Sequence, residues 1–175
     1  MEPRSYFLSL LSEGEPDAFA TIKGSTMYPD IIGVIKFYAL PESGLLIAVE
    51  ISDLPDGRDE DTPTFFAFHI HENSDCSGNF ERTGTHYNPN NVPHPEHAGD
   101  LPPLLSNDGY VWMIIYDSFL TLPMILNRSV VIHQNPDDFT TQPSGNAGNK
   151  IACGVITRNT GTIPVPSYDD DDRED

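Results

Sequence analysis

All six histidines of the chain lie between His69 and His133, a concentration that scattered core or surface histidines would not produce. Two of them alternate in the segment FFAFHIH, where His69 and His71 follow the two-residue period of a strand. Both rings would then project from one strand face, with their Cα atoms about 7 Å apart, and could converge on one metal ion. This pair alone is a weak signal, because two partly exposed strand histidines would give the same pattern.

A second group of possible ligands follows in the segment THYNPNNVPHPEHAGDLP, which contains His86, His94, His97 and Asp100. Its prolines exclude a regular helix, so something other than backbone hydrogen bonding must order it. Three imidazoles and one carboxylate form a complete tetrahedral set for zinc, and metal binding can supply the ordering energy. The alternative is a polar loop with incidental histidines. His133 ends the apolar run SVVI, which places it at a strand terminus, free to reach a site between loops.

Short β-rich runs bounded by turn residues dominate the sequence, and no window shows a sustained 3.6-residue apolar period. Because 16 prolines and 13 glycines are scattered along the chain, helices should be few and short. Strands of this length joined by turns indicate an antiparallel sandwich or barrel. The predicted strands are residues 17–24, 31–38, 45–51, 64–71, 110–117, 129–133 and 151–157.

Three segments fall outside the strand pattern, at residues 56–64, 72–104 and 135–149. Long irregular segments inside a compact domain are usually functional or disordered. The segment 72–104 shows no strand signal, but it contains the second group of histidines. We therefore predict that it is a functional loop.

The chain of 175 residues suits one domain. We place this domain at residues 17–158, after an N-terminal extension at residues 1–16. Residues 159–175 form an acidic tail ending in DDDDRED, which we predict to be disordered and solubilising.

Acidic residues outnumber basic residues by 27 to 9, which gives a formal net charge of -18. This balance argues against nucleic acid and anionic membranes as partners, since both require a basic surface. No stretch approaches the ~20 apolar residues needed to span a bilayer. The first residues lack the apolar core and cleavage site of a secretion signal, which predicts a cytoplasmic protein, or an extracytoplasmic one if a leader has been removed.

Five motifs occur in the order HIHE, GTHYNP, HAGDLP, VVIH and GNAGNKIACGVI. In this order they resemble the copper–zinc superoxide dismutases, over residues 17–156. The resemblance implies an all-β fold, an immunoglobulin-like Greek-key antiparallel β-sandwich or barrel with long metal-binding loops. It also implies conversion of superoxide to dioxygen and hydrogen peroxide, with copper and zinc as cofactors.

The resemblance assigns roles to the histidines. His86 would bridge both metals and relay protons, and Asp137 would link a copper histidine to a zinc histidine, with Asp138 as a near-equal candidate. The implied copper ligands are His69, His71, His86 and His133, and the implied zinc ligands are His86, His94, His97 and Asp100.

The resemblance further implies a disulfide between Cys76 and Cys153, the alternative being two reduced thiols. Lys150 stands where the animal enzymes have an arginine that guards the copper channel, so we expect it to guide superoxide; an ordinary surface lysine is the alternative. The close spacing of His94 and His97 indicates a shortened zinc loop, as in bacterial-type members. The oligomeric state is left open.

Three other readings remain open from the sequence. A non-enzymatic copper- and zinc-binding or storage protein on the same fold would bind both metals without dismutation. An interaction module of β-sandwich type would hold only a structural zinc. A different histidine-rich metalloenzyme such as a cupin would explain the His-x-His strand but not the other four motifs.

Overall fold

The computed structural model describes residues 9–12, 14–56 and 64–161, and these form nine strands with little helix. Each of the seven predicted strands is present, with ends that differ by at most a few residues. Residues 9–12 form a helical turn, and the acidic tail from residue 162 onward lies outside the described residues. The elements are β1 Ala18–Gly24, β2 Ile32–Ala39, β3 Leu45–Ser52, β4 Phe65–His71, a 3-10 turn Glu81–Thr83, β5 Asp100–Leu105, β6 Val111–Asp117, α1 Leu122–Ile125, β7 Ser129–His133, β8 Lys150–Val155 and β9 Thr157–Arg158.

The strands form one antiparallel sheet in the order β5-β4-β7-β8-β1-β2-β3-β6, with β9 added to β1. The end strands β5 and β6 lie against each other, so the sheet curls into a nearly closed barrel. One half of the sheet consists of β5, β4, β7 and β8, and the other half consists of β1, β2, β3 and β6. The connections from β3 to β4 and from β6 to β7 cross between these halves, as in a Greek key. The predicted all-β fold is confirmed.

One strand lies where we predicted none. The sequence predicts no strand within residues 72–104, yet β5 begins at Asp100 and pairs with β4. Its sequence DLPPLL has two adjacent prolines, which a central strand would exclude. Because β5 is an end strand, its prolines do not have to donate to a second neighbour. The prediction was therefore wrong at this point.

Strand β4 is buried on both of its faces. Phe66, Phe68 and Ile70 point into the barrel core. His69 and His71 occupy the other face and are also buried, because the long loops cover it. The loops thus convert an outer barrel face into an enclosed site.

A disulfide joins Cys76 to Cys153, which confirms the predicted pairing. It ties the loop after β4 to strand β8 across a sequence separation of 77 residues. In the chain-entropy treatment, closing a loop of this length stabilises the folded state by about 4–5 kcal/mol.

Within the described ranges, no helix is long and apolar enough to cross a membrane.

Candidate metal centre

The structure brings all six histidines together in two adjoining groups of side chains. In each group, one ligand atom per residue lies within 4.8 Å of the others. The four-histidine cluster consists of His69, His71, His86 and His133, and the carboxylate cluster consists of His86, His94, His97 and Asp100. His86 belongs to both. These are the two ligand sets that the sequence predicted.

Neighbouring strands fix most of the four-histidine cluster. His69 and His71 lie on β4, and β7 pairs with β4 so that His133 ends next to them. His86 joins them through an isolated bridge to His71. The sheet itself therefore sets the spacing of this cluster.

Backbone carbonyls decide which ring nitrogen of His71 and of His133 faces the four-histidine cluster. Nδ1 of His71 donates to the Gly84 carbonyl at 3.0 Å, and Nδ1 of His133 donates to the Gly148 carbonyl at 3.3 Å. A carbonyl only accepts, so both Nδ1 atoms carry hydrogen and both Nε2 atoms are left with lone pairs. These two Nε2 atoms lie 3.2 Å apart.

The four-histidine cluster has the electron-pair donors that a cation requires. His69 Nδ1 and His86 Nε2 are buried, and neither has a hydrogen-bond partner in the part of the chain that the structure describes. Buried polar atoms are normally paired, and the facing Nε2 atoms of His71 and His133 cannot satisfy each other with two lone pairs. One cation bound to these four imidazole nitrogens would give each of them a partner. Imidazole ligands suit copper.

The carboxylate cluster converges on Asp100, the first residue of β5. His86 Nδ1 lies 2.7 Å from Asp100 Oδ1, His94 Nδ1 lies 2.9 Å from Oδ2, and His97 Nδ1 lies 3.2 Å from Oδ2. Three imidazoles and one carboxylate are a donor set for tetrahedral zinc. His86 therefore turns one nitrogen toward each cluster.

A sequence profile described as "Copper/zinc superoxide dismutase (SODC)" matches residues 31–156. This chain belongs to the copper/zinc superoxide dismutase family. Membership implies copper and zinc as cofactors, in agreement with the two donor sets.

Individual relatives agree with this membership. The chain is 36% identical over 138 residues to the extracellular superoxide dismutase (Cu-Zn) of Rattus norvegicus, covering 73% of this chain and 55% of the rat protein. It thus spans about half the length of that relative. It is 38% identical over 130 residues to superoxide dismutase (Cu-Zn) 1 of Aquifex aeolicus (strain VF5), covering 65% and 73% respectively. The crystal structure of the clock protein EA4 superposes with a TM-score of 0.69 at 31% identity, covering 82% of this chain and 96% of EA4.

Asp137 connects the two clusters of this copper/zinc superoxide dismutase family member. Its Oδ2 accepts from His69 Nε2 at 2.8 Å, and its Oδ1 accepts from His94 Nε2 at 2.9 Å. Asp138 instead accepts hydrogen bonds from Thr140 and Thr141 in its own loop. Of the two candidates, only Asp137 contacts the histidines.

Gly145 is a residue of this site that sequence reasoning missed. It has φ +65, and a Cβ there would collide with Asp137 Oδ1 and come within 2.7 Å of His94 Nε2. Only glycine combines this backbone conformation with so close an approach. Gly145 opens the motif GNAGNKIACGVI, but nothing in the motif indicates that this glycine lies against Asp137 and His94.

Burial keeps two histidines of this copper/zinc superoxide dismutase family member, His71 and His133, ready to bind metal. It lowers the pKa of His71 to about 2 and that of His133 to about 3, with repulsion from neighbouring rings adding to the effect. For Asp137, burial alone would raise the pKa, but hydrogen bonds from His69 and from other donors outweigh it and lower the value to about 2. At neutral pH the rings of His71 and His133 are uncharged and the Asp137 carboxylate is ionised, as metal binding requires.

We expect the metal-free protein to lose stability as pH falls below about 6.5. The unfolded chain protonates His71 and His133 near their ordinary pKa of 6.5, whereas the folded state does not. The unfolded state therefore gains protons first, and Asp137 adds a similar effect below its ordinary value of 3.8. Urea unfolding with a chelator present, at about pH 7 and about pH 4.5, measures the change. An equal free energy of unfolding at both pH values would contradict the expectation.

Lys150 is the first residue of β8 and lies opposite His133 in the β7–β8 ladder. Its Nζ donates to the Phe80 carbonyl at 3.3 Å, to Thr83 Oγ1 at 2.7 Å and to the Gly84 carbonyl at 3.2 Å. It is only partly exposed, and burial lowers the pKa of its ammonium group. Lys150 is therefore held in place, which an ordinary surface lysine would not be.

Proposed function

We propose that this protein is a superoxide dismutase, converting superoxide to dioxygen and hydrogen peroxide. The observation that carries the proposal is the His86 ring, whose Nε2 faces the four-histidine cluster while its Nδ1 faces Asp100. A ring shared between two donor sets of different chemistry is suited to joining a redox ion to an ion without redox chemistry. Family membership supports the proposal.

The ligand sets follow from the donor atoms described above. We assign copper to the four-histidine cluster and zinc to the carboxylate cluster, with His86 as a ligand of both. When bound, copper supplies one-electron redox chemistry, and zinc supplies positive charge without redox chemistry. Asp137 orients His69 and His94 by accepting from Nε2 of each ring, which would leave the two Nδ1 atoms to bind metal.

His86 is also the proposed proton carrier. Formation of hydrogen peroxide from superoxide consumes protons, so a donor must lie beside the redox site. Nε2 of His86 is buried at the cluster. Its single lone pair could take up a proton only while it is not donated to copper, and the ring could then pass that proton to the reduced substrate. Its Nδ1 stays engaged in the carboxylate cluster, which keeps the ring in place.

Lys150 is the proposed guide for the anionic substrate. The net charge of -18 repels superoxide from the protein as a whole. A cationic group beside a cleft can focus the local field and offset this repulsion. Since the three protons of Lys150 are already donated within the protein, it acts through its charge. The same net charge leads us to propose that neither nucleic acid nor an anionic membrane is a partner.

Replacing Lys150 with glutamate should lower the second-order rate with superoxide several-fold at low salt, because attraction becomes repulsion. The difference should shrink as salt is added, since the Debye length falls to about 8 Å at physiological ionic strength. Stopped-flow decay of superoxide at several salt concentrations measures it. Arg158→Glu is the matched control, because Arg158 is exposed on β9. Strand β9 pairs with the start of β1, whereas β8 pairs with the end of β1. Equal rates for Lys150→Glu and wild type would remove Lys150 as a guide.

Metal analysis combined with a rate measurement tests the proposed function. We expect one copper and one zinc per chain, a superoxide decay rate proportional to copper content, and a copper paramagnetic resonance spectrum that changes when zinc is removed. Binding of both metals without dismutation would instead indicate a storage protein. Zinc alone would indicate a structural site.

A further inference from the structure

We propose that Thr83 is a positioning residue for Lys150, whose ammonium group its buried hydroxyl holds beside the four-histidine cluster. The importance of this position for catalysis rests on the proposed function. The contact itself belongs to the protein without metal, so it can be tested separately.

The hydrogen bonds of Thr83 leave its hydroxyl only one arrangement. Thr83 ends the 3-10 turn and is fully buried. Its Oγ1 donates to the Phe80 carbonyl at 2.8 Å, which uses its single proton. The lone pairs of the oxygen then accept from Lys150 Nζ at 2.7 Å, the shortest of the three bonds that this ammonium makes. The hydroxyl is thus oriented as an acceptor for Lys150.

A lysine at this place needs such an acceptor. Its ammonium is a compact charge on a flexible stem of four carbons, and it lacks the planar fork that pre-orients an arginine. Three acceptors arranged around Nζ match its three protons, and two of them are the backbone carbonyls of Phe80 and Gly84. Thr83 supplies the third from a side chain. Without it, a partly buried cation would lose one partner and the stem would gain freedom.

The position that Thr83 enforces lies close to the proposed copper ligands. Thr83 Oγ1 is 3.3 Å from Nδ1 of His71. Lys150 also lies opposite His133 in the β7–β8 ladder. Thr83 therefore fixes the charge at the edge of the cluster that superoxide must reach.

Hydrogen exchange of the lysine ammonium groups in the metal-free protein tests the contact. The chain has three lysines, Lys23, Lys36 and Lys150, so the nitrogen NMR spectrum is simple and Lys150→Arg identifies the signal. In the wild type, the Lys150 ammonium should exchange at least about tenfold more slowly than that of the exposed Lys23. Equal exchange rates for Lys150 and Lys23 would overturn the proposal.

Variants of Thr83 test whether its hydroxyl is responsible. Thr83→Val keeps the shape and should speed exchange of the Lys150 ammonium several-fold, while Thr83→Ser should restore slow exchange. Thr85→Val is the control, because Thr85 is exposed two residues away and should leave the rate unchanged. Slow exchange in Thr83→Val, or failure of serine to rescue, would overturn the proposal.

In the metal-loaded protein, Thr83→Val should lower the superoxide rate at low salt by a few-fold and have no further effect in a Lys150→Gln background. The same loss in both backgrounds would show that Thr83 acts independently of Lys150. A protein that binds metals but is inactive would refute the proposed function, while the exchange measurements would still decide the contact.

Discussion

His86→Ala should lower the superoxide rate by at least about 100-fold, the largest effect expected of any single substitution. A positioned proton donor alone contributes roughly 10²–10⁴-fold to a rate. The substitution removes the Nε2 atom that faces the four-histidine cluster and the Nδ1 atom that contacts Asp100. It therefore removes the proposed proton carrier and the ring that both clusters share in one step. Pulse radiolysis or stopped-flow decay, normalised to bound copper, measures the rate.

His97→Ala is the matched control, since it removes an imidazole from the carboxylate cluster alone. It should weaken zinc binding and leave much of the rate per bound copper. His86→Ala should still retain copper on His69, His71 and His133, with weaker affinity. A His86→Ala protein with bound copper and a wild-type rate would contradict both the proton role and the shared ring.

Asp137→Asn should lower the affinity for both metals by about 10–100-fold, as is typical when the partner of a ligating histidine is removed. Asp137 accepts from His69 and His94 through separate oxygens. An asparagine offers one oxygen and one NH₂ group, so one ring would face a donor in place of an acceptor. That ring would turn or change tautomer, and its ligand nitrogen would no longer be available.

Asp138→Asn provides the comparison for Asp137→Asn at the next position. Asp138 is exposed and accepts hydrogen bonds from Thr140 and Thr141, so its substitution should loosen that turn and leave metal affinity unchanged. Competition against chelators of known affinity measures both metals in both variants. Equal affinities for Asp137→Asn and wild type would show that the linking carboxylate has no part in metal binding.

Much of this site could be predicted from the sequence because its ligands are side chains with distinctive chemistry. Imidazoles at alternating positions of an apolar run identified β4, and the motif order identified the fold and the disulfide, which the structure confirms. The predicted ligand residues also come together in space. Their assignment to copper and zinc stays a prediction until metals are measured.

The parts that could not be predicted depend on the backbone. The tautomers of His71 and His133 are set by the carbonyls of Gly84 and Gly148, and every residue type has a carbonyl. The sequence likewise left Asp137 and Asp138 nearly equal, because the choice depends on how one loop turns. No sequence pattern predicts that a threonine hydroxyl such as that of Thr83 is buried against a lysine.

Strand β5 was missed for a related reason. Adjacent prolines argue against a strand unless the strand is known to lie at an edge. The position of β5 at the end of the sheet is a property of the whole topology, which local sequence does not report.

The pairing of His133 with Lys150 in the β7–β8 ladder has a consequence for how such proteins diverge. These two residues flank the loop 134–149 on either side, and hydrogen bonds of the sheet hold them in register. Insertions or deletions inside that loop would leave their separation unchanged. Descendants of a common ancestor can therefore remodel loop 134–149 while the Lys150 ammonium keeps its distance from His133.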